Sequence, residues 1–546
     1  MKVLHRPKLT FLMATLALVA AIALPFTVSA ASLHTQQAAS AKATHPGIDC
    51  SSAIFLCTDV HNSDDVFGHY VGHDEPSTEF YSNVPGSGNR MRYNLTLPKD
   101  PSPSNPLTPG KSYNFELRPA FWFGMAMCDT QSFPEQVSTC TPDSDKNIVD
   151  PAISPAHPGV AFMELQFYPP GWAQQFASQS CDATRWCAAL TIDSLAVNPV
   201  TGQSLNSTCA AKTGLEYVNF AYVTKNGVPQ AAPNPVQFNP ADQTPDPNKV
   251  LFMNQGDNIV LTMHDSTHGL YVDINDQTTG GHGSMTASAA NGFGQVQFAP
   301  DPSTACNNIP YDFHPMYSTS SEKTRVTWAT HSYNVAYSDE IGHFDFCNGP
   351  NPITPGGACP AGNTEGNTNN SSPTDADNIS CFPTSSSLLV QVQGCNGEND
   401  GYDGVSYQPV WPDGNTKLHP TSIQYTSPLT GSGYNVNYNR MAFETDTPGI
   451  EEFLGQCNPL SGLGCTNPPL TDFGTPANFY PFFSIRNVGG QCVWQEGNHI
   501  PGSKNDFGQL NEYGGLLQLS YTQVGGAGLS FFSDYRQILS KNPCSA

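Results

Sequence analysis

The chain has 546 residues, of which 46 are acidic and 22 are basic, so its formal net charge is −24 at pH 7. Nucleic acids and anionic membranes bind proteins through basic surfaces, and this charge argues against both as partners. Charged residues make up only 12% of the chain, while glycine and proline number 47 each, which favours many turns over long surface helices. The negative charge suits an acidic medium, or serves solubility alone.

The N-terminus has the pattern of a secretory signal peptide over residues 1–30. Lys2, Arg6 and Lys8 form a basic start, an apolar run covers 11–24, and a Val-Ser-Ala cleavage sequence ends the segment. A membrane anchor is the alternative, but the run is shorter than the roughly 20 residues that span a bilayer. We therefore expect a secreted, extracellular protein that has no membrane contact after signal cleavage and is a monomer.

All 16 cysteines lie beyond the predicted signal peptide. In an exported chain, an even number of cysteines indicates disulfides that pin long loops. No CxxC pair faces a second pair at zinc spacing, which argues against a structural zinc site. Short sequence separations suggest pairs such as Cys128–Cys140 and Cys181–Cys187, although the spacing leaves the connectivity open.

Composition divides the remaining chain at two places. Residues 31–49 are rich in Ala, Ser, Thr and Gln and are predicted to be a flexible leader. Residues 348–379 are rich in Gly, Pro, Asn and Ser, which is typical of a linker or a long loop. The division predicts a β-sandwich domain at 50–347 and a smaller β-rich C-terminal region at 380–546.

Segments with strand character are frequent, and segments with helical periodicity are scarce. Runs rich in β-branched and aromatic residues, bounded by turn residues, predict strands at 160–168, 258–263, 269–274, 296–298, 387–392 and 516–521. Short helices are expected only at 448–454 and 532–539. The segment 256–285 predicts three strands joined by two turns, the second of them Thr-Thr-Gly. Many short strands with turns between them predict an all-β, antiparallel β-sandwich with long disulfide-pinned loops.

Three motifs occur in order along the predicted sandwich domain. They are residues 121–124 (FWFG) with 128–131 (CDTQ), residues 163–169 (MELQFYP), and the 256–285 meander that opens with Gly-Asp and turns at 278–280 (TTG). Together they resemble the glutamic peptidases, or eqolisins, which are secreted, acid-active endopeptidases with a concanavalin-like sandwich. The resemblance covers about 120–347, and the chain as a whole also resembles secreted bacterial proteins.

This resemblance implies a catalytic glutamine at Gln131 and a catalytic glutamate at Glu322, with Glu340 and Glu164 as fallback positions. In that chemistry the carboxylate is the general base for a water molecule, and the glutamine amide stabilises the developing oxyanion. The reaction requires no cofactor, and its substrate would be an extracellular protein. In the alternative interpretation, Gln131 caps the turn after Cys128 and Glu322 is a solvated loop residue.

Two other functions are compatible with a β-sandwich. A glycoside hydrolase needs two carboxyl groups roughly 5–10 Å apart. Glu164 and Gln166 share a strand face but offer one acid, whereas 339–345 offers several. A non-catalytic glycan-binding or cell-surface protein would instead carry a row of exposed aromatic side chains on one face, because aromatic rings stack on sugar rings.

Metal binding is a separate question. His264 and His268 could share a strand face and contribute to a zinc or copper set. Asp400 and Asp403, in the sequence NDGYDG, resemble a short calcium-binding loop, so calcium is a candidate cofactor, with an Asx/Gly turn as the alternative. No GxSxG, Walker or GxGxxG motif is present, which argues against α/β-hydrolase, nucleotide and dinucleotide functions.

Overall fold

Antiparallel β-strands make up most of the described part of the chain. The computed structural model describes residues 77–99, 121–132, 160–168, 184–297, 305–316, 336–339, 347–348, 364–365, 421–447, 471–476, 483–496, 504–506, 516–522, 529–539 and 541–545, with short gaps inside several of these ranges. All of them belong to one unit, Gly47–Ala546. Within these ranges, no helix has the length and apolar character needed to cross a bilayer.

The strands are numbered in chain order. The first fourteen are β1 (Ser77–Tyr81), β2 (Arg90–Thr96), β3 (Phe121–Cys128), β4 (Val160–Tyr168), β5 (Arg185–Leu195), β6 (Val197–Asn198), β7 (Gln203–Ser204), β8 (Glu216–Tyr222), β9 (Met253–Asn254), β10 (Asn258–Ser266), β11 (Gly269–Asp276), β12 (His282–Thr286), β13 (Gly294–Val296) and β14 (Asn308–Pro310). The others are β15 (Ala336–Asp339), β16 (Cys347–Asn348), β17 (Thr364–Glu365), β18 (Gln424–Thr426), β19 (Leu429–Thr430), β20 (Val436–Asn437), β21 (Arg440–Thr447), β22 (Thr471–Asp472), β23 (Thr475–Pro476), β24 (Phe483–Val488), β25 (Gln491–Glu496), β26 (Lys504–Asp506), β27 (Leu516–Thr522) and β28 (Leu529–Leu539). One α-helix, α1 (Ser207–Thr213), and two 3-10 turns, Ser87–Asn89 and Ala289–Asn291, accompany them.

Two ten-stranded sheets contain most of these strands. The first sheet has the order β27-β28-β21-β1-β15-β3-β4-β5-β8, with β9 also paired to β5. The second has the order β12-β11-β10-β2-β18-β25-β24-β26, with the β19–β20 hairpin attached to β2. Each sheet combines strands from the N-terminal and the C-terminal parts of the chain. In the first sheet, for example, Thr78 of β1 pairs with Tyr337 on one side and with Phe443 on the other.

The core lies between the two sheets. On β2, Met91, Tyr93 and Leu95 point inward and alternate with polar residues that point outward, the pattern of a half-buried strand. The inward aromatic side chains connect the sheets: the ring of Tyr93 lies 4.4 Å from that of Phe123, which lies 6.3 Å from that of Tyr425. The described strands therefore form an antiparallel β-sandwich, and the predicted all-β fold is confirmed.

Several predicted strands are confirmed. β4 has the predicted bounds of 160–168, and β10, β11 and β12 form the predicted meander. The predicted helix at 532–539 is wrong, because this segment belongs to β28, which pairs along its length with β21 and β27. Long-range pairing there overrides a local helical pattern. The predicted strand at 387–392 and helix at 448–454 lie outside the described residues.

Helix α1 was not predicted, and its N-terminus is tied to a distant segment. The side-chain oxygen of Asn206 accepts hydrogen bonds from the backbone N–H groups of Thr208 and Cys209, which makes Asn206 the N-cap. The amide group of the same residue donates to the carbonyl of Gln297. The disulfide Cys209–Cys306, which closes a separation of 97 residues, fixes the helix to the segment before β14.

A second disulfide, Cys492–Cys544, joins β25 to the C-terminal end of the chain across 52 residues. Cys128 and Cys187 are also disulfide-bonded, while the partners predicted for them, at 140 and 181, lie outside the described residues. The expectation of a disulfide-stapled chain is thus confirmed, and the short-range pairings stay predictions.

Candidate functional site

The predicted catalytic pair is only half described. Gln131 lies in the loop directly after β3, where it is half-buried and its backbone N–H donates to Asp129 Oδ1 at 2.8 Å. Glu322 and the fallback Glu340 lie outside the described residues, as do Asp400 and Asp403. The Gln131–Glu322 pair and the calcium loop therefore stay predictions.

Asp129 organises the loop that carries Gln131. This side chain is fully buried, and both of its carboxylate oxygens accept hydrogen bonds. The five donors are the backbone N–H groups of Gln131 and Ser132, Gln295 Nε2 at 2.6 Å, Ser194 Oγ at 2.6 Å and Tyr217 OH at 2.8 Å. Burial raises the pKa of Asp129, and the donated hydrogen bonds oppose that shift. A carboxylate so enclosed fixes the loop to β5, β8 and β13.

The fallback residue Glu164 lies on the face of β4 that points away from the core. Gln166 lies two residues further along the strand and donates from Nε2 to Glu164 Oε2 at 2.7 Å, and Tyr168 OH donates to Gln166 Oε1. Across the sheet, Thr191 Oγ donates to the Glu164 carbonyl at 3.0 Å. A carboxylate and a carboxamide, the two groups that the peptidase hypothesis requires, thus lie in direct contact on one strand.

A second group of polar side chains covers the outward face of the second sheet. We call it the polar face; its members are Arg90, Arg92, Asn94, Thr262, His264, Tyr271, Asp273, Asn275, His282 and Ser284. Strand register places them in cross-strand rows, one of which runs Arg92–Thr262–Asp273–Ser284 and the next Arg90–His264–Tyr271. The alternating burial of β2, β10, β11 and β12 directs all of them away from the core.

Asp273 is the centre of a hydrogen-bonded cluster on the polar face. Its carboxylate accepts from Tyr271 OH at 3.1 Å and from Asn275 Nδ2, and it lies 2.6 Å from His282 Nε2. The His282 side chain is 49% exposed, against 16% for Asp273, so the cluster reaches the surface through the histidine. The rings of His264 and Tyr271 are neighbours, with centroids 5.2 Å apart.

Tyr434, in the turn of the β19–β20 hairpin, lies beside the polar face. The Arg90 guanidinium stands 5.5 Å from the centroid of its ring, and Arg90 Nη1 donates to the Ser432 carbonyl at 3.4 Å. Burial raises the pKa of Tyr434; the nearby charge of Arg90 lowers it, that of Asp273 raises it, and that of Arg92 lowers it. The charges of Arg90, Arg92 and Asp273 therefore all influence the pKa of the Tyr434 hydroxyl.

The backbone of Tyr434 is in an unusual conformation. Its φ of 50° makes it the one non-glycine residue with positive φ among the described residues. A non-glycine residue in the left-handed region costs about 1–2 kcal/mol, which contacts with the surrounding structure must offset. Non-glycine residues in this region occur in turns and at binding or switch sites, and Tyr434 lies in a turn, where its N–H donates to the Gly431 carbonyl at 3.0 Å.

The histidines do not form a metal site in the described part of the chain. No group of three or more His, Cys, Asp or Glu side chains there is arranged to hold an ion. His264 is on β10, but this strand ends at Ser266, and His268 consequently lies in the turn before β11. The expected shared strand face for these two histidines is wrong, because the chain reverses between them. His314 is engaged elsewhere, with Nδ1 at 2.8 Å from Asp265 Oδ1.

Sequence reasoning did not find the polar face. The signal was present in β2, where Arg-Met-Arg-Tyr-Asn-Leu-Thr alternates strictly between polar and apolar residues. Comparison with known proteins adds no family: no family model, curated protein or solved structure matches the chain. The resemblance to the glutamic peptidases therefore stays a hypothesis that rests on its three motifs.

Proposed function

We propose that this protein is a secreted glycan-binding β-sandwich that holds its ligand on the polar face of the second sheet. Sugars present apolar ring faces, which stack on aromatic side chains, and hydroxyl groups, which need directional hydrogen bonds. The polar face and its hairpin supply both kinds of contact. Tyr434 and Tyr271 provide rings, while Asn94, Asp273 and Asn275 provide amide and carboxylate groups beside them.

The observation that carries this proposal is the placement of Tyr434. Tyr434 is 344 positions after Arg90 of β2 (434 − 90) and is held with positive φ beside two arginines of that strand. The core gains nothing from this arrangement, because Tyr434 is on the side of the sheet opposite the core. Contact of the Tyr434 ring with a ligand would explain why this conformation is kept. The disulfides are compatible with an oxidising, extracellular location.

Binding to a glycan array tests the proposal. We expect the purified protein to bind a defined set of glycans, and Tyr434→Ala to weaken that binding by about tenfold or more, because the substitution removes the stacking ring. The matched control is Val228→Ala, since Val228 is 56% exposed and lies outside the polar face. Absence of glycan binding by the folded protein, or equal binding by wild type and Tyr434→Ala, would contradict the proposal.

A glutamic-type endopeptidase is the second candidate, and the contact between Glu164 and Gln166 favours it. In that hypothesis Glu164 activates water and Gln166 supplies the oxyanion donor, in place of Glu322 and Gln131. Cleavage of denatured protein at pH 3–4 tests both assignments, with Glu164→Gln and Gln166→Ala compared with Glu322→Gln and Gln131→Ala. Activity lost in only one of the two pairs identifies the catalytic residues, and a folded wild type that cleaves nothing refutes the hypothesis.

A further inference from the structure

The two arginines of the polar face are unusual in this chain. Basic residues number only 22 in 546, yet Arg90 and Arg92 lie two apart on β2 and so point to the same side of the sheet. The other charged groups of the polar face are Asp273 and the imidazoles of His264 and His282. With both histidines neutral, the face carries one net positive charge on a chain whose net charge is −24.

Among the described residues, no carboxylate forms an ion pair with either arginine. The ion pairs that join described residues are Lys249–Asp246, His282–Asp273 and His314–Asp265, and none of these involves Arg90 or Arg92. Asp273, the acidic residue of the polar face, already accepts hydrogen bonds from Tyr271 and Asn275 and is paired with His282. Two half-buried cations that form no ion pair with a described carboxylate favour an anionic ligand, because each gains from a partner of opposite charge.

The position of Arg90 prepares it for a planar anion. Its guanidinium stands over the Tyr434 ring and donates one long hydrogen bond, of 3.4 Å, to the Ser432 carbonyl. Contact with the ring limits the rotamers of the arginine and leaves its remaining N–H groups for other acceptors. Carboxylates match the fork of N–H groups on arginine, and the pair can form two parallel hydrogen bonds.

We propose that the polar face selects glycans that carry carboxylate groups, such as uronic acid polymers, with Arg90 and Arg92 binding the carboxylate beside the ring of Tyr434. This inference rests on the proposed glycan-binding function and narrows it to one class of ligand. Amide groups at Asn94 and Asn275 lie in the adjacent cross-strand row and can reach the hydroxyls of the same sugar unit or of its neighbour.

Binding of the full-length mature protein to oligogalacturonate, compared with carboxyl-reduced oligogalacturonate of the same length, tests the inference. We expect the acidic form to bind at least tenfold more tightly, and higher salt to weaken it, because the contacts are ionic. Arg90→Met and Arg92→Met should each reduce binding of the acidic form by about tenfold or more. Arg92→Lys should weaken binding of the acidic form less than Arg92→Met does, because lysine keeps the positive charge although it cannot form two parallel hydrogen bonds to a carboxylate.

The matched control is Arg185→Met. Arg185 also stands over an aromatic ring, with its guanidinium 4.3 Å from the Phe252 centroid, but it lies on the first sheet. Its removal changes the net charge equally and should leave binding unchanged. Unfolding midpoints of all variants exclude loss of fold as the cause of weaker binding.

The outcomes separate this inference from the proposed function. Equal binding of the acidic and reduced forms, lost in Tyr434→Ala but not in Arg90→Met or Arg92→Met, overturns the selection of carboxylates and leaves glycan binding in place. Binding of neither form, together with an empty array, overturns both. Loss of acidic binding in Arg185→Met equal to that in Arg92→Met would reduce the effect to net charge and also overturn the inference.

Discussion

Asp257 and Asp276 show how the second sheet is linked to pH. Both side chains are almost fully buried, at 4% and 1% exposure. Asp257 Oδ2 accepts from the Asn254 N–H, and Asp276 accepts from the N–H groups of the turn that follows β11. Burial raises the pKa of Asp257 to about 6, and its hydrogen bond to Asp276 adds to the shift. Two carboxyl groups in contact share a proton more easily than they both ionise.

This pair is expected to contribute more to the unfolding free energy in mild acid than at neutral pH. Because the pKa of Asp257 is raised from 3.8 to about 6, the folded state binds the proton more tightly than the unfolded chain does. The stability it contributes is complete below about pH 4 and is lost as the pH rises through about 6. A shift of about two pKa units corresponds to a contribution of at most about 3 kcal/mol to the unfolding free energy.

Asp257→Asn replaces the titrating carboxyl group by a neutral amide and should flatten the change in unfolding free energy between pH 4 and pH 7. Denaturant unfolding at several pH values measures this change. Asp246→Asn is the control, because Asp246 has a side chain that is 37% exposed and pairs only with Lys249 across 4.0 Å among the described ion pairs. A pH dependence in Asp257→Asn as steep as in the wild type would show that other groups cause it.

At the scale of single residues, the predictions from sequence agree best with the structure where a residue acts on its own stretch of backbone. Thr-Thr-Gly was predicted to be a turn of the meander, and it is the turn between β11 and β12, because turn residues act through their own backbone. Gly-Asp was predicted to open the meander, and it directly precedes β10. The polar face could not be assembled in the same way, since Arg90 and Tyr434 are 344 residues apart. Nothing in either short sequence indicates the other.

Among the elements, the two-residue turn between β10 and β11 leaves no room for a side chain at its end, Gly269. Gly269 has a φ of +94°, and a Cβ placed on it would lie 2.6 Å from the Ala287 carbonyl oxygen and 2.8 Å from that of Phe313. The backbone there is held by the Leu270 N–H, which donates to the Phe313 carbonyl, and it has little freedom to move. Only glycine fits this position, for both dihedral and steric reasons.

Gly269→Ala and Gly280→Ala together separate these two reasons. Gly280 also has positive φ, at +78°, but a Cβ there would meet nothing within 4 Å. We expect Gly280→Ala to cost about 1 kcal/mol in unfolding free energy, and Gly269→Ala more than about 3 kcal/mol, because only the latter forces a backbone clash. Equilibrium denaturation measures both, and equal losses would contradict the steric argument.

Strand prediction succeeded where one face of a strand is half-buried or where β-branched and aromatic residues concentrate, as in β4 and in the meander. It failed for β28, because the partners that hold this segment as a strand are β21 and β27, which a local pattern cannot include. It also missed α1, whose seven residues are too few for a periodic signal. The cap at Asn206 was the available sign of that helix.

At the scale of the whole molecule, the disulfide Cys209–Cys306 closes the longer of the two described loops. Its separation of 97 residues predicts that replacing both cysteines by serine costs about 3–5 kcal/mol, mainly by freeing the unfolded chain. Replacing both Cys492 and Cys544 by serine should lower the unfolding free energy somewhat less, because that disulfide closes a separation of 52 residues. Unfolding free energies of the two double variants test this order. A loss below about 1 kcal/mol for the longer loop would contradict it.

The order of strands in the first sheet has a consequence for synthesis. β1 lies between β15 and β21, and β21 in turn pairs with β28, which comes more than about 440 residues after β1. A ribosome releases the N-terminal strands long before their neighbours exist, and contacts this distant in sequence form slowly. The sheet can therefore close only after β28 has been synthesised.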